Sequence, residues 1–327
     1  MYILAFETSC DDTSVAILRD RECIAMSTRT QLEHDVTGGV VPEVAARSHA
    51  NAIFPCIEDV LTETGLHLED MDYIACTREP GLLPSLLTGM TVAKTLALSL
   101  EKPLIWVNHI EAHMFANFLE RETDDIHFPN VTLTVSGGHT EIYLWRSIDE
   151  FELIGQTRDD AAGECFDKIA KMMGLGFPGG AKIAKLSEAF DIRASESEKN
   201  QAKTLFPRSY LEKDSFDFSF SGMKSAVKRY IDTLGKITES DMEMIAYASE
   251  QAITMILSDK IIAAAEKYNI SFLCLAGGVS ANTRLRDMIS RKAQEKGYAF
   301  IAPKKNLYSM DNAAMVGIRA YYTIKNT

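Results

Sequence analysis

Apolar residues in this chain fall into short unbroken runs and longer stretches of helical period, with polar turns between them. Tyr2-Ile3-Leu4-Ala5-Phe6 is an apolar run of strand length and predicts a buried strand. Residues 13–18 predict its hairpin partner across the polar turn Glu7-Thr8-Ser9-Cys10-Asp11-Asp12-Thr13, and 22–30 a third strand. Gly38-Gly39 marks a loop, after which a helix is predicted over 42–64. Pro42 suits the first turn of that helix, whereas Pro55 should kink or break it. A strand at 73–77, a turn at Arg78-Glu79-Pro80-Gly81 and an apolar helix over 84–100 follow. A strand over 104–107 then delivers His109 at its carboxyl end, where open α/β sheets place their ligand sites.

The pattern then restarts. Strands at 131–135 and 141–145 flank the turn Ser136-Gly137-Gly138-His139-Thr140, repeating the strand, polar turn, strand order of residues 2–18. Helices are predicted over 161–173, 180–189, 222–233 and 240–267, then a strand over 272–276 and a helix over 281–296. A strand over 299–302 and a helix over 312–324 complete the chain, and the polar region 193–214 reads as an insertion or loop. Two halves that each open on a hairpin and alternate into helices imply an internal duplication in an α/β protein. The expected division is 1–108 and 109–327, with the last helix available to pack back on the first lobe.

Length and charge narrow this picture. A chain of 327 residues is long enough for two lobes, each with its own core, and 46% hydrophobic with 24% charged residues is globular composition. A net charge of -12 argues against gripping nucleic acid over the whole surface and leaves room for a local basic patch or a helping partner. Lys224 with Lys228 and Arg229, Arg284 with Arg286, Arg291 with Lys292, and Lys304-Lys305 are the basic clusters, each read first as a solvated helix face. The six cysteines are scattered without a Cys-x-x-Cys pair, which points to reduced thiols in the cytoplasm. No apolar run reaches membrane-spanning length.

Candidate chemistry centres on Asn108-His109-Ile110-Glu111-Ala112-His113. Histidines four apart share a helix face and can bind one ion, although spacing alone equally allows two packing histidines. In the helical peptidase motif a glutamate follows the first histidine directly; here that neighbour is Ile110, and Glu111 would point away from a metal. Asp311 would complete a two-histidine, one-carboxylate set, or it or Asn312 would cap the last helix. The Ser136-Gly137-Gly138 and Gly277-Gly278-Val279-Ser280 turns occupy corresponding places in the repeat. Their glycines allow positive φ and close approach to an anion, and Asn282 could bond a ribose or base edge. Asp159, Asp160 and Glu164 stand at a helix start, where the helix dipole already favours them, but Asp167 lies too deep in the helix for that role.

Taken together the motifs resemble the universal tRNA threonylcarbamoyladenosine transferase family, called TsaD or Gcp in bacteria. The resemblance runs from Ile3 to about Met315. It includes Glu7-Thr8-Ser9-Cys10-Asp11, Gly38-Gly39-Val40-Val41-Pro42-Glu43, His109-Ile110-Glu111-Ala112-His113 and Val135-Ser136-Gly137-Gly138-His139-Thr140. Asp167-Lys168, Pro178-Gly179-Gly180, Phe216-Asp217-Phe218-Ser219-Phe220-Ser221-Gly222, the Gly277-Gly278-Val279-Ser280-Ala281-Asn282 turn and Asp311-Asn312 extend it.

The resemblance implies an actin-like, sugar-kinase-like ATPase fold, with two α/β lobes around a nucleotide cleft. It implies transfer of threonylcarbamoyl from its adenylate to the adenosine following the anticodon in tRNAs reading ANN codons. His109, His113 and Asp311 would hold iron or zinc. Thr134, Val135, Ser136, Gly137, Gly138, Asp167, Gly180 and Asn282 would contact the adenylate. Beyond what the resemblance implies, Asp11 or Asp12 is the best candidate to orient or deprotonate the attacking amine. Implied partners are a paralogous subunit (TsaB), a small ATPase (TsaE) and a TsaC-type synthase that supplies the adenylate. The chain departs from the family at Arg78-Glu79, where a small residue and Gly are expected, and at Asp12, where Glu is usual. A metal-dependent peptidase, a small-molecule kinase and a non-catalytic scaffold are the alternatives. The peptidase lacks its base, and the kinase leaves the histidine pair without a purpose.

Overall fold

The computed structural model describes residues 1–31, 40–122, 125–208 and 215–326; Gly38-Gly39 and part of the polar region 193–214 lie outside them. The chain divides into two compact units, residues 1–126 with 303–327, and residues 127–302.

The first unit holds a five-stranded sheet ordered β3-β2-β1-β4-β5. Its strands are β1 (Tyr2–Glu7), β2 (Asp12–Arg19), β3 (Glu22–Thr30), β4 (Tyr73–Glu79) and β5 (Leu104–Asn108). Strands β1 to β3 form an antiparallel meander, and β4 and β5 extend it in parallel. One face packs Leu4, Phe6, Val15 and Ile17 against helices α1 (Pro42–Thr64) and α2 (Leu83–Ser99). Helix α1 runs unbroken through Pro55. Burial of Ile53, Cys56, Ile57 and Val60 outweighs the ~3 kcal/mol that an internal proline costs.

The last helix, α10 (Ala313–Asn326), packs on β1 and β2 of this unit. There a side chain in place of Gly317 would collide with Leu18. The short helix α3 (His109–Phe115) also belongs to the first unit, and not to the second as a division at residue 108 would have it. Its Phe115 is buried 5.6 Å from the Tyr322 ring of α10, and Phe118 just beyond it stands 4.7 Å from the same ring. Stripping that apolar surface from its partner is what makes 108 a poor boundary.

The second unit repeats the sheet with β6 (Asn130–Val135), β7 (Thr140–Ser147), β8 (Glu150–Gln156), β9 (Phe272–Ala276) and β10 (Ala299–Ile301). The order β10-β9-β6-β7-β8 is the first sheet's order read from the other edge, so β6 corresponds to β1 and β9 to β4. Helices α4 (Ala162–Met172), α5 (Gly179–Arg193), α6 (Glu196–Ala202), α7 (Ser221–Leu234), α8 (Glu239–Tyr268) and α9 (Thr283–Lys296) complete it. Their apolar faces close a core over β6 and β9 with Ile169, Phe190, Ile253 and Leu257. Duplicated mixed sheets with helices make this the two-lobed actin-like ATPase fold. Helix α6 lies inside the stretch read as a loop. No helix among the described residues is long and apolar enough to cross a membrane.

Candidate functional site

The parallel register of β1, β4 and β5 aligns their carboxyl ends, opposing Phe6 to Cys76 and Thr77 to Val107. Glu7, Thr77 and His109 therefore meet although they are far apart in sequence. Helix α3 starts at His109 because Asn108 caps it, its Oδ1 accepting from the amides of Ile110 (2.8 Å) and Glu111 (3.2 Å). His109 and His113 then stand one turn apart, with ring centroids 4.6 Å from each other.

Asp311 arrives from the segment before α10. Asn312 is the residue that caps that helix, accepting from Met315 N, and Ser14 Oγ accepts from Ala313 N to tie the helix start to β2. The Asp311 carboxylate is thus directed to the histidines, with Oδ1 3.1 Å from His113 Nε2 and 3.7 Å from His109 Nε2.

The site's electrostatics follow from its burial. Glu7 is fully enclosed, its Oε1 accepting from Ser9 N (2.6 Å) and its Oε2 from Thr77 Oγ1 (2.6 Å). The same Oε2 lies 3.1 Å from His109 Nδ1, and Ser9 Oγ lies 3.2 Å from that nitrogen. Burial alone would lower the His109 pKa, but the charges of Glu7 and Asp311 outweigh it and push it up to about 9. Burial acts the other way on Glu7, and the facing imidazolium overcomes it to hold the carboxyl low.

His113 is fully buried with neither ring nitrogen in a hydrogen bond, since its 3.1 Å approach to Asp311 lacks hydrogen-bond geometry. A buried imidazole without such a partner is costly unless something else takes its lone pair. Three donor atoms of His109, His113 and Asp311 lie within 4.8 Å of one another. Ligands ~2.0–2.2 Å from one tetrahedral ion stand ~3.3–3.6 Å apart, so the 3.1 and 3.7 Å spacings fit a shared divalent ion.

Three neighbours complete this group. Asp12 is nearly enclosed and accepts from Thr30 Oγ1. Burial, reinforced by the charges of Asp311, Asp11 and Glu7, pushes its carboxyl up to about 7 despite that hydrogen bond. Asp11 beside it is half-buried. Glu111 turns away from the histidines to Arg319 Nε on α10 at 2.7 Å, so it is not available as a peptidase base.

The predicted nucleotide residues gather separately, in the second unit at the carboxyl ends of β6 and β9. After Val135 the chain turns tightly, Ser136 N donating to His139 O and His139 N to Ser136 Oγ. Gly137 and Gly138 do not take positive φ, contrary to expectation, and the space where their side chains would stand is open. The conformational demand falls on Gly277 (φ 83°), where a Cβ would sit 2.4 Å from Val135 O. Gly163 at the start of α4 packs as closely on Ser136 O and Gly137 Cα. These contacts bring the β6 turn, α4 and the β9 turn together.

Asp167 on α4 accepts from Gly179 N (2.7 Å) and so fixes the start of α5, where Gly180 is open. Thr134 is wholly buried in β6, with its hydroxyl in no hydrogen bond. Asn282 caps α9 through Oδ1 to Leu285 N, while its Nδ2 donates to Glu250 (2.6 Å). Glu250, a buried residue the sequence reading passed over, also accepts from Ser187 Oγ and Arg284 Nε. The basic clusters are largely engaged within the chain: Arg284 with Glu250 and Asp191, Lys224 with Asp160, Lys292 with Asp259, and Lys305 with Glu120.

The comparisons with known proteins agree on one family. A model described as tRNA N6-adenosine threonylcarbamoyltransferase (TsaD) matches residues 22–318. Proteins of that name from Desulfotalea psychrophila and Bdellovibrio bacteriovorus are 43% and 40% identical to this chain. The matches cover 98% and 96% of this chain and 92% and 90% of those proteins. Among solved structures, T. kodakarensis HypF superposes with a TM-score of 0.53 at 13% identity, over 99% of this chain and 48% of that one. That likeness concerns the fold alone. With its motifs and near-complete alignment, the chain belongs to the tRNA N6-adenosine threonylcarbamoyltransferase family.

Proposed function

We propose that this protein transfers the threonylcarbamoyl group from threonylcarbamoyl-adenylate to the exocyclic amine of the adenosine following the anticodon, in tRNAs that read ANN codons. His109, His113 and Asp311 hold one divalent ion, iron or zinc. The observation that carries the metal part is the convergence of these three donors around a buried histidine with no hydrogen bond of its own. When bound, the ion supplies Lewis acidity toward the carbamoyl carbonyl or the phosphate attached to it.

The chain's own groups do the rest. The amides of Gly137 and Gly138, in an exposed turn, donate to the adenylate phosphate, which leaves as AMP while the new nitrogen–carbon bond forms. Val135, Ser136, Asp167, Gly180 and Asn282 line the same cradle, with Thr134 supporting the turn from within β6. A carboxyl titrating near neutrality is matched to accept a proton at physiological pH, which favours Asp12 as the group that takes the amine proton, with Asp11 orienting the amine. The substrate is tRNA, the adenylate comes from a TsaC-type synthase, and a TsaB paralogue and the small ATPase TsaE assist. The acidic charge of -12, with most basic clusters already paired, supports a need for such help in holding tRNA.

The test is reconstitution with tRNA, threonine, bicarbonate, ATP and the companion proteins, followed by nucleoside mass spectrometry. Threonylcarbamoyladenosine is expected from the wild-type chain, with a loss of at least ~100-fold in rate for His113→Ala. Absence of the modified nucleoside with wild-type protein, or full activity of His113→Ala after verified metal removal, refutes the reading.

A further inference from the structure

Glu7 sits in the strand-to-turn junction of β1 and has no part in the reaction as described, yet it is among the most completely buried carboxylates in the chain. Burying an ionised carboxylate is costly, and such groups persist where they are fully hydrogen-bonded for a purpose. Glu7 is so bonded. Ser9 N and Thr77 Oγ1 each donate at 2.6 Å, one to each oxygen, which fixes the plane of the carboxylate. Oε2 is then directed at His109 Nδ1, 3.1 Å away. The opposite ring nitrogen, Nε2, is the one that faces Asp311.

We propose that Glu7 is the positioning residue of the metal centre, accepting the Nδ1 proton of His109 so that the ring presents Nε2 to the ion in a fixed plane. The inference rests on the metal reading of His109, His113 and Asp311. A neutral imidazole carries one N–H, and which nitrogen keeps it is set by the acceptor the other side offers. Carboxylates in that position orient the ring and raise its basicity, and their loss typically weakens metal binding ~10–100-fold. Ser9 Oγ, at 3.2 Å from the same Nδ1, is the rival acceptor. A carboxylate anchored by two other donors competes for that proton better than a neutral hydroxyl. Thr77 acts one step further out. It stands at the end of β4, and its hydroxyl holds Glu7 in register with the end of β5.

The experiment is metal titration of the full-length chain with zinc and, for its visible spectrum, cobalt(II). The wild type is expected to bind one ion per chain. Glu7→Gln, nearly isosteric, is expected to lose ~10–100-fold in zinc affinity with shifted cobalt bands. Ser9→Ala should change affinity less than about threefold, and Thr77→Val should fall between the two. Equal affinity and an unchanged cobalt spectrum in Glu7→Gln overturn the proposal, as does a larger loss in Ser9→Ala than in Glu7→Gln.

Should Glu7→Gln fail to fold, nitrogen-15 NMR of the zinc-loaded wild type decides. A proton on His109 Nδ1 with zinc on Nε2 upholds the assignment, and the reverse tautomer refutes it. A wild type that binds neither metal would instead refute the metal reading, so the two failures are distinct.

Discussion

The ion pair between Glu111 and Arg319 should bind together the two helices that bring the histidines and Asp311 to one place. Glu111 lies on α3 between His109 and His113, and Arg319 on α10, two turns beyond Asp311. Their charged atoms are 2.7 Å apart, with 23% and 12% of the side chains exposed, and the guanidinium also lies 4.7 Å over the Phe115 ring. Exposed pairs contribute ~0–1 kcal/mol, whereas breaking a fully buried pair costs ~3–5 kcal/mol. A pair of this burial falls between, at ~2 kcal/mol, and loss of the ring contact adds ~0.5–1 kcal/mol. Arg319→Met keeps most of the packing volume and is expected to destabilise the first unit by ~2–3 kcal/mol. Glu111→Gln, which can still accept one neutral hydrogen bond, should cost ~1–2 kcal/mol.

The two tryptophans fall one in each unit, Trp106 on β5 and Trp145 on β7, so in a Trp145→Phe background urea unfolding followed by Trp106 fluorescence reports the first unit. The double variant should be no less stable than Arg319→Met alone, giving a coupling of ~1–2 kcal/mol. Additive losses, with coupling under ~0.5 kcal/mol, would refute the idea that the pair acts as a clamp.

Two further outcomes follow from the site. Burial raises the Asp12 carboxyl from an ordinary 3.8 to about 7, so the folded state holds its proton more tightly than the unfolded state. The associated stability is complete below pH 4 and is lost as pH rises through 7. In metal-free protein Asp12→Asn should therefore flatten the decline between pH 4 and pH 7, and equal slopes in the two proteins would sink the assignment. Gly137→Ala meets open space and should leave thermal stability within ~0.5 kcal/mol, yet its methyl group should weaken an adenylate analogue ~10-fold or more by calorimetry if the phosphate occupies that space. Gly163→Ala, whose Cβ would meet Ser136 O at 2.5 Å, should lose stability as well. Unaltered binding by Gly137→Ala would remove that turn from the nucleotide cradle.

What could be read from the sequence, and what could not, separates along the range of the forces involved. The strands at 2–6 and 131–135 declare themselves because both faces of each are buried, so an unbroken apolar run suffices. Strand β8 gives no such signal: it is an edge strand with only Gly155 buried, held by pairing to β7 and not by a hydrophobic face. Helix α6 hides for the same reason, since it buries only Ala202 and depends on the Ser195–Glu198 capping box and the Lys199–Asp191 ion pair. The capping box was a local signal that could have found it.

The histidine pair was legible because its geometry is that of one helical turn. Asp311 needed only the recognition that a carboxylate next to a cap is spared from capping when Asn312 does that work. Glu7 is different in kind. An acid ending a buried strand is visible in the sequence, but its purpose depends on β4 lying between β1 and β5, and on a register that places Thr77 and His109 at the same edge. The two histidines proposed as ligands are set by local helical geometry, and Glu7, proposed to aim one of them, by sheet topology. Mutations that shift the register of β4 should therefore disturb the centre while every ligand remains in the chain.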